Sequence, residues 1–181
     1  NIESFQYCPQ FKEIYDKCIR QNPDERIFMS DLIIYLCLYF VDNNIILKNI
    51  DPEYQYDIAR IYLRKNKKNK AIIYFWHAAN FNHSEAQYEL SIIYKDGKYI
   101  LKDINKAIYY FSLAADKHHS LAQYELGIFY KEENDINKAI HFLSLSADNN
   151  CSKAQYELGL IYYKGKYIPR DINKAISYLF R

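Results

Sequence analysis

The sequence is poor in the residues that turn-rich folds require, with 4 glycines and 4 prolines among 181 residues. A protein built from many short strands needs more of both, so we expect a helical fold. The chain also lacks a hydrophobic run long enough to cross a bilayer. Its most apolar stretch, 32–41, has about half the required length, and we interpret it as a buried helix.

Cysteine is also scarce, and no two of the 4 cysteines have the Cys-x-x-Cys spacing of a zinc or redox site. The histidines form no metal-ligand spacing with cysteines or carboxylates. We therefore predict no metal, no cofactor, no small-molecule substrate and no catalytic residue, which makes this chain a non-enzyme. Scattered thiols and the absence of a signal peptide predict a cytoplasmic location.

Neither sign of charge is in clear excess, because 24 Lys and Arg residues are balanced by 22 Asp and Glu residues. Such a chain produces no general field that would attract nucleic acid or an anionic membrane. We predict neither as a partner. The segment 64–70 has five basic residues in seven, and because it falls between two predicted helices we expect a solvated edge there.

Repetition is the main positive feature of the sequence. The strings Ala-Gln-Tyr-Glu-Leu and Asp-Ile-Asn-Lys-Ala-Ile each occur three times, in alternation, at 86–90, 103–108, 122–126, 135–140, 154–158 and 171–176. A degenerate earlier copy begins near Tyr56. A period of 32 to 36 residues is typical of a helix-turn-helix repeat array.

Each copy predicts two helices. In the first helix, Ala86, Leu90 and Ile93 recur with the spacing of one helix face, and Asp103 is well placed to cap the second helix. We predict an all-α fold, an α-α superhelix or solenoid of about four such repeats, preceded by a short helical segment.

Three small residues, Ser91, Gly127 and Gly159, occupy the same position in successive first helices. Glycine in a helix interior costs roughly 1 kcal/mol, so its presence needs a reason. We expect these positions to let a neighbouring helix approach closely.

The pattern of small, aromatic and capping residues over 86–115, repeated over 122–147 and 154–178 and more weakly over 53–79, resembles the Sel1-like repeat, a relative of the tetratricopeptide repeat. This resemblance implies an adaptor or scaffold, in signalling or protein quality control, that has no catalytic activity of its own.

The resemblance also sets the predicted domain division. Residues 1–50 form an N-terminal helical segment that does not fit the repeat. Residues 51–181 form the repeat solenoid, whose last repeat we interpret as truncated.

Within the N-terminal segment, the spacing of Cys18, Pro23 and Arg26 before an apolar helix resembles the end of a protein-kinase C-lobe. Ile19 and Ile27 depart from that family, which prefers Trp and Pro there. The resemblance implies an alternative function, in which the chain is the regulatory or substrate-recruiting region of a kinase whose catalytic part lies upstream. The other interpretation is a helical hairpin that caps the solenoid.

The predicted function is a protein-protein interaction scaffold that holds a helix or extended peptide of a protein partner. In tandem helix pairs the first helices line the concave surface, where tyrosine supplies apolar area with a polar tip. The alternative for these side chains is packing against the adjacent repeat. The candidate partner-binding residues are Tyr88, Ile92, Tyr124, Ile128, Tyr156, Leu160, Gln87, Gln123 and Gln155.

Three glutamates at one repeat position, Glu89, Glu125 and Glu157, raise the question of acid-base catalysis. They lie one repeat apart rather than facing each other as a catalytic pair does. We expect a solvated or partner-facing row.

Overall fold

The computed structural model describes residues 51–180, which form eight α-helices in four consecutive pairs. Each helix packs against the helices that precede and follow it. This stack of helix pairs confirms the predicted all-α repeat fold. In chain order the helices are α1 (Pro52–Arg64), α2 (Lys68–Asn80), α3 (Ser84–Asp96), α4 (Ile104–Ala115), α5 (Ser120–Glu132), α6 (Ile136–Asp148), α7 (Ser152–Lys164) and α8 (Ile172–Leu179).

We call α1, α3, α5 and α7 the first helices and the others the second helices. Among residues 51–180, no helix combines the length and the apolar character needed to span a membrane. The predicted N-terminal segment and its kinase-like pattern lie outside the described residues.

Every turn between helices contains one residue in the left-handed conformation. Glycine reaches it without a Cβ clash, and asparagine tolerates it better than most residues because its short polar side chain can bond locally. The chain uses glycine in the two long turns and asparagine in four of the others. The seven residues, with φ between 57° and 68°, are Asn66, Asn82, Gly97, His118, Asn134, Asn150 and Gly165.

Turns of different length connect the first and second helices, yet the same backbone bond closes them. The Asp103 N–H donates to the Tyr94 carbonyl at 3.0 Å across a long turn, and the Asp135 N–H donates to the Tyr130 carbonyl at 2.9 Å across a short one. The additional residues of a long turn therefore lie between the two residues that this hydrogen bond joins. They leave the packing of the helices unaffected.

Within each pair, a tyrosine of the first helix is stacked between two groups of the second. The Tyr94 ring lies 5.8 Å from the Tyr110 ring, and the Lys106 Nζ lies 5.3 Å from the Tyr94 centroid. The Asp103 side chain caps the second helix by accepting from the Lys106 N–H at 3.0 Å. The other three pairs repeat the ring stack with Tyr62–Tyr74, Tyr130–Phe142 and Tyr162–Tyr178.

The hydrophobic core lies between successive pairs as well as within them. One cluster joins Phe111 and Ala114 of α4 to Ala122 and Leu126 of α5, all of them buried. A second cluster, between the third and fourth pairs, contains Leu143, Ala147, Ala154 and Leu158. Each pair therefore completes the core of the pair before it.

The predicted close approach at the small residues is confirmed. A Cβ placed on Gly127 would lie 2.6 Å from the Leu143 Cγ, and one on Gly159 would lie 2.6 Å from the Leu179 Cγ. Ser91, at the same position of α3, is buried, and its hydroxyl donates to the Tyr88 carbonyl.

Two histidines join successive pairs at the starts of first helices. The Nδ1 atoms of His83 and His119 each accept from the backbone N–H three residues ahead, at 3.2 Å. Their rings stack on Tyr56 and Tyr88 of the preceding pair, at centroid distances of 4.7 Å and 4.6 Å. Cys151 begins α7 at the same position without a side-chain cap.

We expect Gly127→Ala to lower the free energy of unfolding by about 1–3 kcal/mol, because overpacking against Leu143 exceeds the gain in helix propensity. Urea unfolding measures this change. In a Leu143→Ala background the clashing Cγ and Cδ2 atoms are gone, so the same substitution should cost little. An equal cost in both backgrounds would contradict the close-approach explanation.

Acid should weaken the junction at His119. Burial lowers the pKa of His119 below its usual 6.5, although Glu85 opposes this in part. The unfolded chain therefore binds the proton more readily, and the free energy of unfolding should fall as pH drops through about 6.5. Protonation also removes the Nδ1 acceptor of the cap, which is worth on the order of 1 kcal/mol.

Thermal unfolding across pH 5 to 8 measures this dependence, with pH values chosen around the usual histidine pKa. The matched control is His119→Asn, because asparagine caps a helix without titrating in that range. Stability of the variant should depend less on pH than that of the parent. Identical pH profiles would show that the dependence arises elsewhere.

Candidate functional site

The first helices lie side by side and are joined by ion pairs, and we call the surface they form the first-helix face. The Lys95 Nζ lies 2.7 Å from the Glu125 Oε2, and the Lys131 Nζ lies 2.6 Å from the Glu157 Oε2. Each pair connects one first helix to the next. The sequence predicted a solvated or partner-facing row, whereas Glu125 and Glu157 are paired between helices and their side chains are only 20% and 21% exposed.

Glu89, the third member of the row, has a different partner. Burial raises the pKa of the Glu89 carboxyl, and the positive charge of Arg60 in the preceding pair lowers it in part. No group of three or more His, Cys, Asp or Glu side chains able to hold a metal occurs between residues 51 and 180. The glutamates therefore act as connections between repeats.

The three candidate tyrosines differ in what they contact. Tyr88 is half-buried beneath the His119 ring, and burial, with the negative charges of Glu125 and Glu89, raises the pKa of Tyr88 to about 12. Tyr124 is half-buried too, and its pKa is raised chiefly by burial. Tyr156 is 56% exposed. Packing against the next repeat thus occupies Tyr88, whereas Tyr156 presents its ring to solvent.

The glutamines require a correction. Gln87 and Gln123 are buried, at 0% and 1% exposure, and Gln155 is half-buried. Their Nε2 atoms donate to a carbonyl near the end of the preceding second helix, at 3.0, 3.2 and 3.3 Å. Each of these carbonyls also accepts from a backbone N–H of the following turn, so the amide is a second donor that joins the first helix to the preceding second helix. Gln87 and Gln123 therefore cannot meet a partner while the repeats stay packed.

The aliphatic candidates Ile92, Ile128 and Leu160 are all half-buried on the first-helix face. Ile128 lines an open cavity of about 270 Å³ between the second and third pairs. The cavity contains both members of the Lys95–Glu125 ion pair, and its apolar walls are formed mainly by Ile104, Ile108, Phe111, Ile128 and Phe129.

Most of these cavity residues were not among the sequence candidates. Ile104 and Ile108 belong to a second helix, and Phe129 follows Ile128 in α5. A prediction made for the first helices alone does not find a cavity that first and second helices line together. The available sequence signal was the isoleucine that directly follows the capping aspartate, and the structure leaves Ile104 37% exposed.

The cavity places apolar walls beside the Lys95–Glu125 ion pair. Recognition sites of this kind combine apolar surface with a few polar groups that set orientation. The cavity is small, and the first-helix face around it provides Tyr156, Leu160 and the charged row for further contacts.

Comparison with solved structures supports the fold. A protective antigen of uropathogenic Escherichia coli, c5321, which displays an SLR fold, matches 71% of this chain with a TM-score of 0.65 and 25% identity. A Sel1 repeat protein from Oxalobacter formigenes matches 70% with a TM-score of 0.64 and 23% identity. The chain spans only 29% and 56% of those two proteins. No curated protein sequence gives a significant match.

The family model for the Sel1 repeat matches three consecutive segments, residues 84–119, 120–151 and 152–181. The first helix pair precedes the matched region, yet it has the same Tyr–His and Tyr–Tyr stacks as the second pair. Because the match covers more than half of its residues, the chain belongs to the Sel1 repeat family.

Proposed function

We propose that this chain is a non-catalytic scaffold that binds a segment of a partner protein on the first-helix face. Sel1 repeats typically form protein-interaction scaffolds and are generally non-catalytic. The observation that carries the proposal is the cavity between the second and third pairs, where apolar walls adjoin the Lys95–Glu125 ion pair.

The chemistry of the cavity defines the expected partner. Its walls fit an aliphatic or aromatic side chain, which would displace water from Ile104, Ile128 and Phe129. A polar group beside that side chain can pair with Lys95 or Glu125. An extended peptide or a helix with an apolar residue next to polar residues meets these conditions.

The position of the cavity indicates a binding path along the stack. Leu160 lies one repeat after Ile128, and the exposed Tyr156 ring lies one helical turn before Leu160. A segment that begins in the cavity and continues over α7 would contact both. Tyr156 is therefore the tyrosine we retain as a direct contact.

We also propose a cytoplasmic location, which the free and buried Cys151 thiol supports, because reduced cysteines are usual in that compartment. The alternative of a kinase-associated region depends on residues 1–50. No observation on residues 51–180 favours it over the scaffold.

The decisive variant is Ile104→Glu. Ile104 is the first residue of α4, where a negative charge is favourable for the helix, so folding should be retained. A carboxylate at the cavity mouth should weaken partner binding at least about tenfold, the usual effect of losing a central contact. Affinity capture from lysate with quantitative mass spectrometry identifies the partner, and titration of that partner measures the loss.

The matched control is Leu121→Glu. Leu121 is the second residue of α5, it is 36% exposed against 37% for Ile104, and it does not line the cavity. The control should retain full binding. If both variants bind like the parent, the cavity is not the binding site, and if both lose binding, the effect reflects charge rather than the cavity.

A further inference from the structure

Charge is unevenly distributed over the repeat stack. The turns from first to second helices, with the helix ends beside them, form one edge that we call the turn edge; it comprises 64–70, 95–106, 131–138 and 164–174. Between residues 51 and 180, it holds 15 of the 18 Lys and Arg residues but only 6 of the 15 Asp and Glu residues. The turn edge thus carries +9, whereas the remaining described residues carry −6.

Side-chain contacts show that these turns are neighbours. The Lys68 Nζ, at the start of α2, lies 4.8 Å from the Tyr99 centroid in the next turn. Lys102 of that turn lines the same cavity as Glu132 at the end of α5. Positive charges from different repeats therefore add into one field on this edge.

The two long turns also present apolar side chains between basic ones. The turn after α3 has the sequence Lys-Tyr-Ile-Leu-Lys over 98–102, and the turn after α7 has Lys-Tyr-Ile-Pro-Arg over 166–170. Leu101 is 91% exposed and Tyr167 is 41% exposed. Leu101 is thus an apolar side chain left almost wholly in water within a basic turn.

The turn between α5 and α6 supports the same conclusion by contrast. It contains Glu132 and Glu133, the principal acidic residues of the edge, and it is four residues shorter than the turns on either side. The two long turns on either side carry no glutamate, and they hold Leu101 and Tyr167 beside basic residues.

We propose that the turn edge docks on the surface of an anionic lipid bilayer. Lysine and arginine side chains pair with lipid phosphates, and Leu101 and Tyr167 enter the interfacial region, where tyrosine and apolar side chains are favoured. The lysines that lie over tyrosine rings, such as Lys98 over Tyr99 at 5.5 Å, remain exposed and can still reach phosphate. This docking is peripheral.

An acidic polypeptide is the competing occupant, and two observations favour the bilayer. Leu101 is 91% exposed within a basic turn, an arrangement that suits the interfacial region of a bilayer. The two turns that carry Leu101 and Tyr167 are also separated by one helix pair, and this spacing suits a broad surface. The earlier prediction of no membrane partner used the summed charge of the chain, which conceals this segregation.

Co-sedimentation of the full chain with vesicles tests the proposal. The chain should bind vesicles that contain phosphatidylserine with phosphatidylcholine, bind pure phosphatidylcholine vesicles weakly, and be released by high salt. Lys98→Glu with Lys166→Glu should lower the affinity for anionic vesicles at least about tenfold. The control, Lys117→Glu with Lys153→Glu, has the same net charge at exposed sites away from the turn edge and should bind like the parent.

Leu101→Ser distinguishes an anionic bilayer from an acidic polypeptide as the binding partner of the turn edge. Because Leu101 is already exposed, folding should be unchanged, which thermal melting verifies. Affinity for anionic vesicles should fall about tenfold, while binding of polyglutamate, used as the acidic polypeptide probe, should be unaffected. Binding of polyglutamate without binding of anionic vesicles would overturn the proposal, as would full vesicle affinity in the Leu101→Ser variant or an equal loss in both lysine double variants.

Discussion

A helix pair of this chain cannot bury its own apolar surface, and every other feature depends on that constraint. The second helix of each pair carries residues such as Phe111 or Leu143 that its partner helix alone does not bury, and the first helix of the next pair completes their burial. Stability is therefore a property of neighbouring pairs, as the nearest-neighbour description of repeat proteins requires. The residues that repeat in the sequence are those that form these junctions.

Each position of the string Ala-Gln-Tyr-Glu-Leu has a separate role in a junction, as the third copy, 122–126, illustrates. Its alanine and leucine lie in the core, its glutamine satisfies the preceding second helix, and its glutamate pairs with the preceding first helix. Its tyrosine points toward the following pair, where Lys153 lies 5.9 Å from the ring centroid. One pentapeptide thus contacts both neighbours.

The sequence predicted the fold because core residues repeat with helical spacing, and spacing is visible without coordinates. The same spacing predicted that a neighbouring helix comes close at Gly127. It could not separate Gln87 from a surface glutamine, because the carbonyl that Gln87 contacts, that of Ala79, lies on a different helix. A helix-face pattern describes one helix, and the roles of Gln87, His119 and Ile104 arise between helices.

The candidate site illustrates the same limit. Ile128 was predicted from its place on a first helix, and the structure puts it on the cavity wall. Ile104 and Phe129 complete that wall from positions that no single-helix pattern selects. The summed charge of the chain likewise does not reveal its segregation to one edge, since that depends on which turns lie side by side.

The backbone bond between Asp103 and Tyr94 has a consequence for how such a chain can change over time. Because the bond closes turns of two lengths with the same geometry, residues can be added inside it without disturbing the register of the stack. Evolution can therefore elaborate these turns one at a time, much as antibody loops vary on a constant framework, while the glutamine and histidine junctions at the opposite edge stay fixed.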